Sequence, residues 1–337
     1  MNKKYSIVTL ASHSALQILK GAKDEKFNTI LVSTPDRVSF YKRFPFIDKI
    51  ITIPDWSDFS KVEPELRKEN AIVIPHGSFV AHLGLEKNKE MSLPYFGNKA
   101  VLDWEADRDK QSLWLKQANI NTPKEYSDIN KIEYPVIVKT HGADGGSGYF
   151  YASSKKDLAK KLKNIPKGKK YTIQQYVIGV NLYIHYFYSP LTKQVEILGM
   201  DRRYETNVDS LGRIPSKNQQ ELDINPSYTV VGNTPVVLRE SMMPEAYEMG
   251  ERLVAASQKL IDKKGIYGPF CLETIITPDL KFHIIEISCR IVAGTNIHIN
   301  GSPYSDLVYG QPMSTGRRIA REINLAKKSN KLNLILD

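Results

Sequence analysis

The chain has 337 residues, room for two or three packed units, and its 41% apolar and 25% charged content is ordinary for a globular protein in water. No stretch has the length of a bilayer span, the N-terminus carries no signal-peptidase pattern, and two cysteines make no disulfide framework, so a cytoplasmic chain without membrane contact is expected. The formal net charge of +10 suits anionic partners, either nucleic acid or small phosphorylated molecules.

Tyr5 to Ala11 reads as a buried strand, followed by a turn at Ser12-His13-Ser14 in which either serine can cap a helix. Leu16, Leu19 and Ala22 give that helix an apolar face, which Gly21 weakens modestly. Further strands are expected at 29–33, 49–53 and 71–77, the last ending in His76-Gly77-Ser78. Strands alternating with helices over this first third argue for a small open parallel sheet, where ligands bind beyond the carboxyl ends of strands. His13 and the 76–78 run both fall at such ends, though a single loop histidine is more often only a polar loop residue.

The spacing predicts one helix from Trp104 to Ala118, then a short strand at 134–139 closed by Lys139. Gly142, Gly145, Gly146 and Gly148 follow directly. Clustered glycines expose backbone N–H groups to a bound anion, and a strand-borne lysine adds a point charge for phosphate. The alternative is a plain flexible hairpin loop, and no Walker or dinucleotide fingerprint is present. Eight lysines between 155 and 170 lack interleaved aromatics, which favours the solvated outside of a small lid over a nucleic-acid patch. Strands at 171–179, 183–188 and 195–200 suggest a mainly antiparallel sheet, Asp201 to Asn207 is densely polar, and a long helix runs from Pro244 to Asp262.

Two apolar, β-branched runs, 268–276 and 281–288, flank the turn Thr277-Pro-Asp-Leu280 and read as a hairpin. With a two-residue tip, Glu273 lies opposite Ile284 and Glu286 falls two positions along on the same face; an even loop keeps the acids together and an odd one separates them. Two carboxylates that close repel unless a proton or a cation relieves them. A hard dication such as Mg²⁺ fits, and two solvated glutamates on an exposed face are the alternative. In this register Cys271 and Cys289 point to opposite faces and do not pair. Met313 to Lys328 reads as a basic surface helix.

This order of elements resembles the ATP-grasp superfamily, in which two α+β lobes grip ATP. Seven stretches refine the likeness: 11–23 (ASHSALQILKGAK), 75–79 (PHGSF), 94–99 (PYFGNK), 185–189 (HYFYS), 201–205 (DRRYE), 239–241 (RES) and 268–273 (GPFCLE). Together they are similar to the formate-dependent FAICAR synthetases, the PurP family, which convert formate, ATP and the aminoimidazole carboxamide ribotide AICAR into the formamido ribotide FAICAR, ADP and phosphate. The resemblance implies an α/β and α+β chain: a Rossmann-like pre-ATP-grasp domain over 1–98 and an ATP-grasp domain over 99–337, with a lid lobe at about 123–180 and a core lobe at 181–337.

It also implies roles. Glu273 and Glu286 would hold Mg²⁺ (or Mn²⁺). Lys139 and the glycines at 142, 145, 146 and 148 would cover the ATP phosphates. Gln175, Tyr176 and Val177 would meet adenine, and Glu205 would contact the nucleotide. His13, Ser78 and Asn233 would bind AICAR. Arg290, with Lys139, would spread the charge of phosphoryl transfer to formate. Gln174-Gln175 stands where the superfamily has a hinge acid, and Ser288 where Asn is common. A homo-oligomer, trimeric or hexameric, is implied. Another ATP-grasp ligase using a different acid or amine is the nearer rival, and a basic nucleic-acid-binding protein the remoter one.

Overall fold

The computed structural model describes residues 4–140, 149–219 and 229–337. Gly142, Gly145, Gly146 and Gly148 lie outside the described residues.

The first four strands, β1 (Ser6–Leu10), β2 (Asn28–Ser33), β3 (Lys49–Thr52) and β4 (Ala71–Val73), form a parallel sheet in the order β3-β2-β1-β4. The apolar, β-branched runs of β1, β2 and β4 are buried on both faces, as parallel strands covered by helices require, while the edge strand β3 buries only Ile51. The strand expected over 71–77 is shorter: past Val73 the chain leaves the ladder, and His76 makes an isolated parallel bridge to Ile291.

A three-stranded antiparallel sheet joins β5 (Val136–Thr140), β6 (Tyr149–Ala152) and β7 (Tyr171–Gln175) in the order β6-β5-β7. The lysine-rich segment contributes the helix Lys155–Leu162, which buries Leu158. The largest sheet is five-stranded and antiparallel, with order β10-β9-β8-β11-β12, from β8 (Val180–Ser189), β9 (Gln194–Glu205), β10 (Val230–Pro235), β11 (Gly268–Ile276) and β12 (Phe282–Ser288). Its inner face, with Ile184, Tyr186, Met200, Phe270 and Leu272, packs into one continuous core with the helix Met243–Leu260 and with one face of the parallel sheet.

Three expectations are corrected. The single helix over 104–118 is two, Leu102–Ala106 and Arg108–Gln117, because Asp107 takes an extended conformation and its carboxylate accepts from the N–H groups of Asp109 and Lys110. The C-terminal helix, Thr315–Lys328, is not merely a basic surface element: Arg318 and Glu322 are buried on it, with Arg318 paired to Glu196 and Glu322. The hairpin tip is longer than two residues: Thr277 N–H bonds Lys281 O around a three-residue loop, in which Leu280 is left-handed with φ 62°. That odd loop alone would put Glu273 and Glu286 on opposite faces. A bulge beside Glu273 shifts the register by one and sets the two glutamates directly opposite each other.

Candidate functional site

The outer face of the five-stranded sheet collects the polar side chains. Register puts Ser288, Cys271 and His185 in one row and Glu286, Glu273, Tyr183 and Asp201 in the next; Arg203 and Asn233 pair in the row beyond. Directly paired residues share a face, so a period-2 pattern, Asp201, Arg203, Glu205, turns an extended strand into a ledge of charge.

Glu273 is buried, and its carboxylate is held by Arg203, Nη2 to Oε1 at 2.8 Å and Nη1 to Oε2 at 3.3 Å. The Arg203 guanidinium also lies 3.7 Å from the centre of the Tyr183 ring. Burial, with the charge of Glu273, pushes the Glu286 carboxyl up to about 7, against the pull of Arg108 and Lys139. Burial and Arg108 lower Lys139, while Glu286, Glu273 and Glu125 partly restore it. The lysine of the small sheet therefore stands within electrostatic reach of both glutamates across the cleft. Glu205 is pushed up to about 7 by burial, with Asp209 and Glu273 adding to it and Arg203 opposing.

At the other wall, His13 takes a left-handed backbone (φ 54°) just past β1. Its ring lies parallel to that of His76, centroids 5.5 Å apart, and its Nδ1 shares a hydrogen bond with Ser14 Oγ at 3.1 Å, so that serine does not cap the helix Ala15–Asp24. Gly77 admits the neighbours: a Cβ there would meet His13 Nε2 at 3.1 Å and Arg290 Nη1 at 3.2 Å. Removal of the ring from water, then the positive charges of Arg290 and Arg203, hold His13 down to about 4, so the ring is neutral at pH 7. His76 is fully buried, bonded through Nε2 to Leu10 O at 3.0 Å, and its Nδ1 accepts from Ser78 N–H at 3.2 Å, which fixes the 76–78 turn. Arg290 pairs with Glu105 at 3.1 Å, while Arg290 Nε and Glu105 Oε2 are buried without a hydrogen-bond partner among the described residues.

Asn233 donates to Asp201 at 2.6 Å, and Asp201 in turn bonds His185 Nε2 at 2.6 Å. The hinge residues sit apart from these charges. Gln175 N–H donates to Lys124 O, Tyr176 N–H donates to Pro135 O, Val177 is buried, and Gln174 Nε2 reaches Glu125 Oε1 at 2.9 Å. A carboxylate thus stands beside the hinge, on the neighbouring segment rather than at 174 or 175. Ser288 is buried opposite Cys271, one row from the two glutamates. Both cysteines are free.

Arg203, Arg108, Glu105 and Asp201 were not singled out as site residues by sequence. The alternation within 201–205 could have marked Asp201 and Arg203 as partners of Glu205 on one face; nothing local marks Glu105 or Arg108, which reach the cleft only through the helix break at Asp107.

A family described as a domain of unknown function, DUF1297, matches residues 150–337, and one described as a protein of unknown function, DUF1246, matches 7–126. The 5-formaminoimidazole-4-carboxamide-1-(beta)-D-ribofuranosyl 5'-monophosphate synthetase of Pyrococcus horikoshii is 51% identical over 98% of this chain and 99% of its own length. This chain belongs to the FAICAR synthetase family. The crystal structure of an IMP biosynthesis protein PurP from Thermococcus kodakaraensis is 31% identical, with a TM-score of 0.77 over 98% of this chain and all of that one. A biotin carboxylase–ATP complex from Campylobacter jejuni is only 14% identical, yet its TM-score is 0.66 over 94% of this chain and 70% of that one, a likeness of fold alone. The FAICAR synthetase family has the ATP-grasp fold, and this member is an ATP-grasp carbon–nitrogen ligase. Among the described residues no helix is long and apolar enough to cross a membrane.

Proposed function

We propose that the protein formylates AICAR to FAICAR at the expense of ATP and formate, within purine biosynthesis. The γ-phosphoryl group passes to a formate oxygen, giving formyl phosphate and ADP; the exocyclic amine of AICAR attacks the formyl carbon, phosphate leaves, and the amine gives up a proton. The observation that carries this reading is the facing of two carboxylates, Glu273 and Glu286, by cationic groups on either side in a chain that matches a named synthetase over 99% of that protein's length.

Two directly opposed carboxylates and few other hard donors suit Mg²⁺ or Mn²⁺ carrying nucleotide phosphates, since such ions take one or two protein carboxylates and complete their shell from phosphate and water. The ion would supply charge neutralisation at the phosphates. Arg203 supports the assignment, for it is the cation that now neutralises Glu273. Lys139 and Arg290 bring positive charge to the transferring phosphoryl group, and Glu105 steadies Arg290. Neutral His13, Ser78 and Asn233 form the ribotide wall; His13 at about 4 is too acidic to accept a proton efficiently at pH 7, which favours binding over base catalysis.

The segment Gln175, Tyr176 and Val177 is assigned to adenine, Glu205 to the nucleotide, and the glycines of 142–148 to phosphate cover. Residues 1–98 form the pre-ATP-grasp unit, 123–180 the lid and 181–337 the core lobe. A homo-oligomer and a cytoplasmic setting complete the reading.

Incubation with ATP, Mg²⁺, formate and AICAR, each omitted in turn, tests it. FAICAR and ADP should form only in the full mixture. ADP release that needs formate but proceeds equally with a different amine would transfer the assignment to another ligase.

A further inference from the structure

Asp201 is fully buried at the centre of the polar ledge, and its two oxygens have different partners. Oδ1 meets His185 Nε2 and Oδ2 meets Asn233 Nδ2, each at 2.6 Å. Burial alone would raise its carboxyl, but these hydrogen bonds and Arg203 outweigh that and hold it below the usual carboxylate range. An ionised carboxylate only accepts hydrogen bonds. The Asn233 amide therefore has a single satisfactory orientation: its NH₂ group faces Asp201, and its carbonyl oxygen is turned away. Among the described residues the Asn233 side chain makes no other hydrogen bond. Space for the carboxylate is kept by Gly294, where a Cβ would collide with Asp201 Oδ1.

We propose that Asp201 is a positioning residue that fixes Asn233 as a hydrogen-bond acceptor, and that this acceptor selects the N–H-bearing amino-carboxamide edge of the ribotide. The proposal rests on the reading of Asn233 as a ribotide contact. Asn233, on the edge strand β10, lies three strands from Glu273 on β11 and is linked to it only through the long side chain of its pair partner Arg203. The choice of the base over the ribose phosphate follows from polarity: a phosphate dianion offers only acceptor oxygens and leaves a fixed acceptor unpaired, whereas the amine and carboxamide edge carries N–H donors. A site with a fixed, desolvated acceptor rejects a ligand without the matching donor more strongly than an apolar pocket could, because the acceptor is left unpaired.

The test compares AICAR with two analogues, one lacking the exocyclic amine and one with a carboxylate in place of the carboxamide. Calorimetric titration on the wild-type protein should show at least one analogue binding ten-fold or more weakly than AICAR, and Asn233→Ala should reduce that discrimination to about three-fold or less. Asp201→Asn lets the Asn233 amide turn over, so KM for AICAR should rise ten-fold or more with KM for ATP changed less than two-fold. Combining Asp201→Asn with Asn233→Asp reverses the polarity of the pair and returns an acceptor to the cleft, so it should recover most of that loss; a merely structural Asp201 would not be rescued. If Asn233→Ala leaves AICAR binding untouched, the reading of Asn233 as a ribotide contact fails, and the proposal with it. If Asn233→Ala weakens binding while both analogues bind the wild type as tightly as AICAR, that reading stands and the polarity proposal is overturned. Should Asp201→Asn not fold, the wild-type analogue titrations still decide.

Discussion

The buried His76 shows how one side chain can set both a turn and a pH limit. In its neutral form it donates one ring N–H to Leu10 O and accepts the Ser78 N–H on the other nitrogen. Burial, then the neighbouring His13 and Arg290, hold it down to about 3, and protonation would set a ring N–H against the Ser78 N–H. The sign follows. Its folded pKa lies below the unfolded value, so between the two the unfolded chain binds more protons and stability falls as pH falls. From pH 6.5 to 4 this one group should cost the fold on the order of 3 kcal/mol. Denaturant titrations at pH 7 and pH 4.5 should show the loss, and His76→Gln should flatten it; an equally steep loss in the variant would remove His76 as its source. At the pair proposed to hold the metal, Glu273→Gln and Glu286→Gln keep volume and remove charge, so each should lose most ADP-forming activity and weaken Mn²⁺ binding followed by paramagnetic resonance. Near-normal turnover by either would end the metal assignment. His13→Ala should raise KM for AICAR roughly ten- to a hundred-fold, the loss of one hydrogen bond to a charged ligand, and leave KM for ATP unchanged. A parallel rise in both constants would indicate a damaged fold instead.

At the level of elements, Gly21 has a role that helix propensity does not reveal. It sits where the helix Ala15–Asp24 crosses Thr315–Lys328, and a Cβ there would run into the backbone of Gly316 and Arg317; Gly316 meets the backbone of Gln17 in the same way. Alanine is worth roughly 1 kcal/mol more than glycine in a free helix, whereas overpacking costs about 1–3 kcal/mol, so the contact should win. Gly21→Ala should lower the denaturant midpoint, and a raised midpoint would show that the helices move apart freely. The two helices are separated by almost the whole chain, which is why their close approach was invisible in either segment. The acidic hairpin was legible for the opposite reason: both strands and the turn are local. Even there the shared face was reached by a different route, since the odd loop and the bulge offset each other. Period-2 counting sees neither. The break at Asp107 escaped because the carboxylate that caps the second helix acts on backbone N–H groups rather than on side-chain packing.

Across the whole molecule, the distribution of buried apolar residues divides the protein unequally. One core runs unbroken from the parallel sheet through the C-terminal helix to the inner face of the large sheet, joining Ile7, Leu31 and Ile72 to Ile319, Ile184 and Leu272. The three-stranded sheet has a separate, small core of five buried residues, Val136, Val138, Ala152, Leu158 and Ile173. Sequence order suggested a lid there; that the buried residues of the small sheet form a cluster of their own among the described residues is a tertiary fact. Local opening free energies scale with such packing, so the small sheet should open well below the global unfolding cost. Hydrogen exchange should then be at least ten-fold faster for amides of β5 and β7 than for those of β8 and β11, which lie over the main core. On the proposed reading, Lys139 on β5 and the two glutamates that raise it electrostatically share one nucleotide, which would tie the small sheet to the main core. ATP with Mg²⁺ should therefore slow exchange in β5 and β7 selectively, and Lys139→Met should remove most of that protection while leaving β8 and β11 unchanged. Lid amides as slow as those of β11 without nucleotide would mean that the small sheet is part of the main cooperative unit, and closure over ATP would then have to come from some other part of the chain.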